Sequence, residues 1–363
     1  MTFRKTQIST AQLVCLMLVC SIPLVVTSNT SFLGGDHMID NLLSCGIAFL
    51  CNFFLFLPIY FLMRRRSDCN LLLQAGQVGR WLLYCAAIAT ILYFLVLNLQ
   101  FLATLELFLS NAFDTAVPTW IFPAMIVLSS IYASYHGLDA IGRTAILICS
   151  MVLLGFLLIG TLLLPEVQST NFTPVLYEGP NQMLAGTLFF LTANGSLVTF
   201  LILFPTASGK PTLGFLFWNV ITFALASFLL FIIVGVLGDF ANLQLFPLYS
   251  AATMASLGTF QRLDTVFISM WLVGMFIKLA INFYVISLCC NEIFGRRTAI
   301  VVKPACGLFL FIGSILISNN RSWMNVVFNP LFTLPFTAAA VLVIPLVTLI
   351  GNAVKDRRMK RHA

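Results

Sequence analysis

The sequence predicts an all-α integral membrane protein with about ten transmembrane helices. They are arranged as two inverted sets of five, with both termini in the cytoplasm. Three observations predict it. The 363 residues are 60% hydrophobic and only 9% charged, with a mean hydropathy of +1.02. Ten stretches are long and apolar enough to cross a bilayer. The basic residues fall almost entirely on one side of those stretches.

Composition comes first because it chooses the solvent. A water-soluble domain is nearer half apolar and a quarter charged. The excess apolar surface here is harmless only in lipid, where the backbone must satisfy itself as helix or closed barrel. No stretch is long and polar enough to form a separate soluble domain, so residues 1–363 read as one polytopic membrane domain. The net charge of +7 arises from short loops and termini and does not imply nucleic acid.

A spanning helix needs roughly 20 mostly apolar residues. The candidates are Ala11–Ser31, Leu42–Met63, Trp81–Phe101, Pro118–Tyr135, Ile146–Leu164, Met183–Phe204, Leu213–Leu237, Val266–Cys290, Val301–Ser318 and Phe332–Ile350. Arg4 and Lys5 before the first apolar run also fit a signal peptide. Charge counting favours a retained helix. Of the nineteen Lys and Arg, sixteen fall on one side, including Arg64, Arg65, Arg66, Arg80, Arg143, Lys210, Lys303 and the tail from Lys355 to Arg361. Only Arg262 and Arg321 fall on the other, and Lys278 lies within a span. Cytoplasmic loops collect Lys and Arg, so this asymmetry fixes the orientation. It makes residues 351–363 a basic cytoplasmic tail. Most acidic residues fall on the outer side, among them Asp40, Glu106 and Asp264. Two sequons, at Asn29 and Asn171, also fall in outward loops and carry little weight.

Five spans that start inside end outside, so the second five are inverted relative to the first, as repeats at about 8–165 and 180–350. Many secondary transporters are built this way and bind solute where the first helix of each half is interrupted. The first span contains Ser21, Ile22 and Pro23 about ten residues in; the sixth contains Thr192, Ala193, Asn194, Gly195 and Ser196 at the matching depth. Proline removes a backbone donor, and small polar residues at mid-bilayer leave backbone groups that protein, water or ligand must satisfy. Either segment alone reads as a kink or a small-residue packing patch. The matched pair makes them a candidate solute site.

Lys278 is the only basic residue deep in a span. An intramembrane charge is costly and marks function by default. It lies too far from either end of its span to snorkel readily. Carbonyls of interrupted helices or a ligand carboxylate are its expected partners, and it is suited to stand in for a coupling cation. Asn282 follows one turn later on about the same face. Asn98 and Gln100 lie toward the outer end of the third span, and Tyr93 nearer its middle, where packing is as good an account as ligand contact.

Other chemistries lack their residues. The three His (His37, His136, His362) are far apart. The ten Cys lie mostly in apolar runs without CxxC or Cys/His spacing. No HExxH, GxSxG or P-loop occurs. No cofactor, metal or enzymatic activity is expected.

Four local patterns then resemble one family. They are Ile8-Ser9-Thr10-Ala11-Gln12-Leu13 and Gly79-Arg80-Trp81. The third is Pro118, Trp120, Tyr132, Gly137, Asp139 and Arg143 in order. The last is Leu245-Phe246-Pro247 with Gln261-Arg262-Leu263-Asp264 and Trp271. Together they resemble the B subunits of bacterial spore germinant receptors, the spore-germination permeases of the amino acid–polyamine–organocation transporter superfamily. The resemblance implies a LeuT-like bundle in the spore inner membrane, a bacterial cytoplasmic membrane. It implies sensing of amino acids or similar small nutrients in a central pocket between helices one, three, six and eight. It implies action with a larger membrane A subunit and a lipoprotein C subunit. Tyr93 matches a family tyrosine facing the pocket. Two departures stand out: the first span has no glycine in its Ser21–Val25 segment, and no Glu follows Gly195. Glycine exposes backbone to a ligand, so the usual amino-acid cradle is altered. A secondary transporter of small solutes uses the same scaffold and stays open as an alternative reading. A membrane enzyme is a third class that the missing catalytic clusters disfavour.

Overall fold

The computed structural model describes residues 8–26, 38–112, 118–176, 179–192, 195–255 and 264–362. Arg4, Lys5, Asn29, His37, Asn194, Gln261, Arg262 and Leu263, singled out above, lie outside the described residues. Fifteen α-helices are described: α1 Thr10–Val26, α2 Ile39–Arg65, α3 Leu71–Val78, α4 Arg80–Ala112, α5 Ile121–His136, α6 Leu138–Leu163, α7 Pro180–Thr192, α8 Ser196–Leu203, α9 Pro211–Leu237, α10 Pro247–Met254, α11 Asp264–Phe294, α12 Arg296–Ser318, α13 Arg321–Val327, α14 Pro330–Thr337 and α15 Ile344–His362. Eight helical stretches are long and apolar enough to cross a membrane. α1 and α5 are shorter apolar helices at the other two expected positions.

Several boundaries follow from local chemistry. Asn70, Asn320 and Asn329 cap α3, α13 and α14 with side-chain oxygens that accept from Leu73 N, Ser322 N and Leu331 N. Pro330 and Pro211 open α14 and α9, where a missing N–H costs nothing. Gly137 joins α5 to α6 at φ +89°, a conformation that favours glycine. A π-helical turn, Ala338–Val343, links α14 to α15 within the tenth span.

Contacts between loops agree with the sidedness read from charge. Ile8–Ser9 (β1) pairs in parallel with Ala207–Ser208 (β2), which brings the N-terminal segment to the α8–α9 connection. Thr10 Oγ1 reinforces the pair by donating to Ser208 O at 2.6 Å. Arg65 at the end of α2 pairs with Asp356 of the tail and donates to Asn352 O at 3.1 Å. At the opposite end, Leu176 N donates to Asp40 Oδ1 at 2.9 Å, and Asn171 Nδ2 donates to Gly235 O at 2.8 Å. The Asn171 amide is thus occupied by structure.

Two helices differ from the expected limits. α4 runs on past Phe101 to Ala112 and carries Glu106, buried, into the bundle rather than into a loop. Its 33 residues exceed what a bilayer needs, and the apolar run Phe101–Leu109 packs against protein beyond the expected end. α1 is helical through Ser21, Ile22 and Pro23, so the first span has no gap there. The Ser21 hydroxyl bonds back to Met17 O, the familiar i−4 bond of a helical serine.

Among the described residues the main hydrophobic core runs from Ile8 to Ile344, with a small second cluster of Ala103, Ile317, Met324 and Val327. In the apolar 18-residue window of Pro180–Thr206, which holds α7 and α8, 81% is buried inside the protein, and in that of Asp264–Phe294 72% is. The corresponding windows of the other six long spans are between 28% and 44% buried. The sixth span and α11 are therefore the central pillars. Thr192, Ser196, Lys278 and Asn282 on them are buried against protein, so a solute site at these residues is enclosed.

Candidate functional site

The sixth span is interrupted as expected. α7 ends at Thr192 and α8 begins at Ser196, with Gly195 as its N-cap at φ −66°. A helix end in the bilayer leaves carbonyls and N–H groups that need partners. Side chains from two other helices reach one of them.

Thr192 O is one such carbonyl. Tyr93 OH of α4 donates to it at 3.4 Å, and Thr337 Oγ1 of α14 lies at the same distance while also reaching Thr333 O at 3.1 Å. Tyr93 and Thr192 are buried. The Thr192 hydroxyl turns back to Leu188 O at 2.8 Å. Gly195 is required by close approach, since a Cβ there would lie 2.9 Å from Leu97 Cδ1 on α4.

Ser196, the first residue of α8, meets the first span directly. Its Oγ lies 2.9 Å from Ser21 Oγ. Ser21 donates to Met17 O at 2.8 Å and accepts from Trp218 Nε1 of α9 at 3.1 Å. A hydroxyl has one proton and two lone pairs. Ser21 has spent its proton on Met17, so Ser196 is the donor between them. Ser21 is thereby saturated, and a node of three helices closes over the interruption. Both serines are 1% exposed. Ile22 and Pro23 follow within α1.

Lys278 and Asn282 form a second group, on α11. Lys278 is 3% exposed, with Nζ 3.3 Å from the centre of the Phe101 ring of α4. Among the described residues its ammonium has no ion pair. The expected carbonyl partners on the interrupted spans are replaced by an aromatic face, which attracts a cation through its quadrupole. Asn282 Nδ2 donates to Asn98 Oδ1 of α4 at 2.6 Å. The two groups adjoin along α4, where Tyr93, Leu97, Asn98 and Phe101 succeed one another within about two turns. Asn194 lies outside the described residues.

Trp218, Thr337 and Phe101 were not singled out from sequence. Thr337 is a polar residue in an apolar run, the kind of signal that led to Thr192, and it escaped notice for want of a partner at matching depth. Trp218 and Phe101 are two aromatics among many and carried no signal. Other buried cations have structural work. Lys303 donates to Ser134 O at 2.8 Å in the last turn of α5 and lies over the Tyr135 ring, which suits a positive charge at a helix C-terminus. Among the described residues no cluster of His, Cys, Asp and Glu has the makings of a metal site.

Comparison with known proteins places this arrangement. The spore germination protein family matches residues 7–322. Spore germination protein KB of Bacillus subtilis (strain 168) is 26% identical over 376 aligned positions, covering 98% of this chain and 97% of that one. Spore germination protein YndE of the same strain is 23% identical over 232 positions, covering 61% and 62%. A solved structure of the substrate-bound outward-open state of a Na+-coupled sialic acid symporter superposes with a TM-score of 0.60 at 13% identity, covering 93% of this chain and 79% of that one. The bundle therefore has the fold of an inverted-repeat, LeuT-like transporter, and by its matched length the chain belongs to the spore germination protein family.

Proposed function

We propose that this protein is the membrane subunit of a nutrient germinant receptor. It senses amino acids or similar small solutes through a transporter-like central pocket. The observation that carries this reading is the Ser21–Ser196 contact. It joins the matched segments of the first and sixth spans at a buried, fully hydrogen-bonded node. Residues 8–165 and 180–350 act as the two inverted repeats, and their first helices meet at this node. Ser21, Ile22, Pro23, Tyr93, Thr192, Asn194, Gly195, Ser196, Lys278 and Asn282 line or border the ligand site. Ligand would exchange its own polar atoms for the bonds among Ser21, Ser196, Tyr93 and Thr192. A ligand that favours the opened node shifts the population of bundle conformations by its differential affinity. A membrane A subunit and a lipoprotein C subunit read the shift in the spore inner membrane. No step of this scheme needs a cofactor or a catalytic residue.

A secondary transporter of the same fold is the second reading, favoured by the likeness to a solute symporter. One experiment separates them. Spores lacking the gene are exposed to amino acids, nucleosides and sugars while release of dipicolinic acid is followed. Lost response to one nutrient, with normal uptake of it by growing cells, supports the receptor. Unchanged release with reduced uptake supports the transporter.

A further inference from the structure

On the α4–α11 face, among the described residues, one amide donor has no acceptor and one ammonium has no ion pair. Asn98 is 0% exposed, and its Nδ2 has no hydrogen-bond partner. Its Oδ1 is already taken by Asn282. Lys278, four residues before Asn282, is 3% exposed and has no ion pair among the described residues. Its ammonium rests on Phe101, three residues beyond Asn98. Residues three or four apart share a helix face, and the Asn98–Asn282 bond ties the two faces together. Both donors therefore belong to one enclosed patch beside the interrupted sixth span.

An unpaired buried donor costs the full desolvation of its group, and an unpaired buried charge costs more. An aromatic ring offsets only part of that for the ammonium. Glu106, the buried acid on α4, makes no ion pair with Lys278 among the described residues. Among the described residues the patch offers an ammonium and an amide N–H, with no carboxylate paired to either. Its chemistry is that of an anion receptor.

We propose that Lys278 and Asn98 form the subsite for a carboxylate of the nutrient, so that the ligand is a small carboxylate rather than a neutral sugar or nucleoside. This rests on the reading of the central pocket as a ligand site. The carboxylate accepts from Lys278 Nζ and Asn98 Nδ2, and the rest of the molecule extends toward Tyr93 and the Ser21–Ser196 node. Helix-end amides of the interrupted span are then free to orient the other end of the ligand. This division suits a first span that has no glycine in its Ser21–Val25 segment.

The test uses the full chain in lipid nanodiscs and reads its thermal unfolding midpoint. The probes are the twenty L-amino acids, lactate and pyruvate, the corresponding amides, and sodium chloride as inorganic anion. At least one carboxylate should raise the midpoint while its amide leaves it unmoved. Lys278→Met should abolish the shift. Asn98→Leu, which keeps the charge, should weaken the apparent affinity roughly tenfold or more, as expected for one lost hydrogen bond to a charged group. The proposal is overturned by equal shifts from acid and amide, by an undiminished shift in Lys278→Met, by chloride matching every carboxylate, or by no probe shifting the wild type. The spore assay separates this from the receptor reading. Loss of response to a neutral nutrient alone in the deletion strain sinks the carboxylate subsite and leaves the receptor standing. Unchanged germination, with carboxylate binding in nanodiscs, does the reverse.

Discussion

Ser21 Oγ and Ser196 Oγ lie 2.9 Å apart, although 175 residues separate them in the chain. Trp218 Nε1 and Met17 O complete the coordination of Ser21, so three groups converge on one buried oxygen. Ser196 depends on this node less than Trp218 does, because Ser196 also lies 3.5 Å from Met17 O.

This asymmetry orders two variants. Ser21→Ala leaves the Trp218 N–H buried without an acceptor and should cost about 1–3 kcal/mol of stability. Ser196→Ala removes one donor from an oxygen that keeps two other partners, and should cost about 1 kcal/mol or less. Equilibrium unfolding of the purified protein measures both. Equal losses would contradict the assignment of donors and acceptors at the node.

Gly195 approaches α4 too closely for a larger residue, with Leu97 Cδ1 2.9 Å from where a Cβ would sit. Gly195→Ala needs only a shift of a side-chain tip and should cost less than about 1.5 kcal/mol. Gly195→Val should cost about 1–3 kcal/mol and blunt the germination response. Adding Leu97→Ala to Gly195→Val should restore part of the loss, because it removes the atom that is struck. A double variant no better than Gly195→Val would place the constraint elsewhere.

Two hydroxyls lie 3.4 Å from the Thr192 carbonyl, and that of Thr337 divides its single proton between Thr192 O and Thr333 O at 3.1 Å. Tyr93→Phe and Thr337→Val should each be mild, about 0.5 kcal/mol or less, since the second donor remains and long bonds are weak. The double variant strips the carbonyl of both and should cost about 1–3 kcal/mol, more than the sum of the singles. Thermal midpoints of the four proteins test the cycle.

Sidedness is open to fusion reporters. A fluorescent protein joined after Ala363 should fluoresce, as expected for a cytoplasmic C-terminus beside the Arg65–Asp356 contact. Alkaline phosphatase joined after Phe172, in the loop held by Asn171 to Gly235, should be active outside the membrane. The opposite pair of signals would mean that the bundle is inserted the other way up, against the charge asymmetry.

The positions and sidedness of the spans were legible because the bilayer acts on each stretch separately. Hydrocarbon thickness sets helix length, and the cost of moving Lys and Arg across sets orientation, so neither needs a tertiary partner. The gap after Thr192 was legible for the same local reason: Thr192 to Ser196 are poor residues for an uninterrupted apolar helix. The first span shows the limit of that logic. Pro23 reads as a breaker, yet α1 is helical from Thr10 to Val26, because neighbouring helices can satisfy what a proline frees. Helix rotation and the neighbours it brings are set by packing along the whole bundle. That is why Trp218 reaching Ser21, Thr337 reaching Thr192 and Phe101 lying under Lys278 appeared only in the tertiary structure. Each contact joins segments more than a hundred residues apart, and hydropathy is blind to which face of a helix turns inward when every face is apolar.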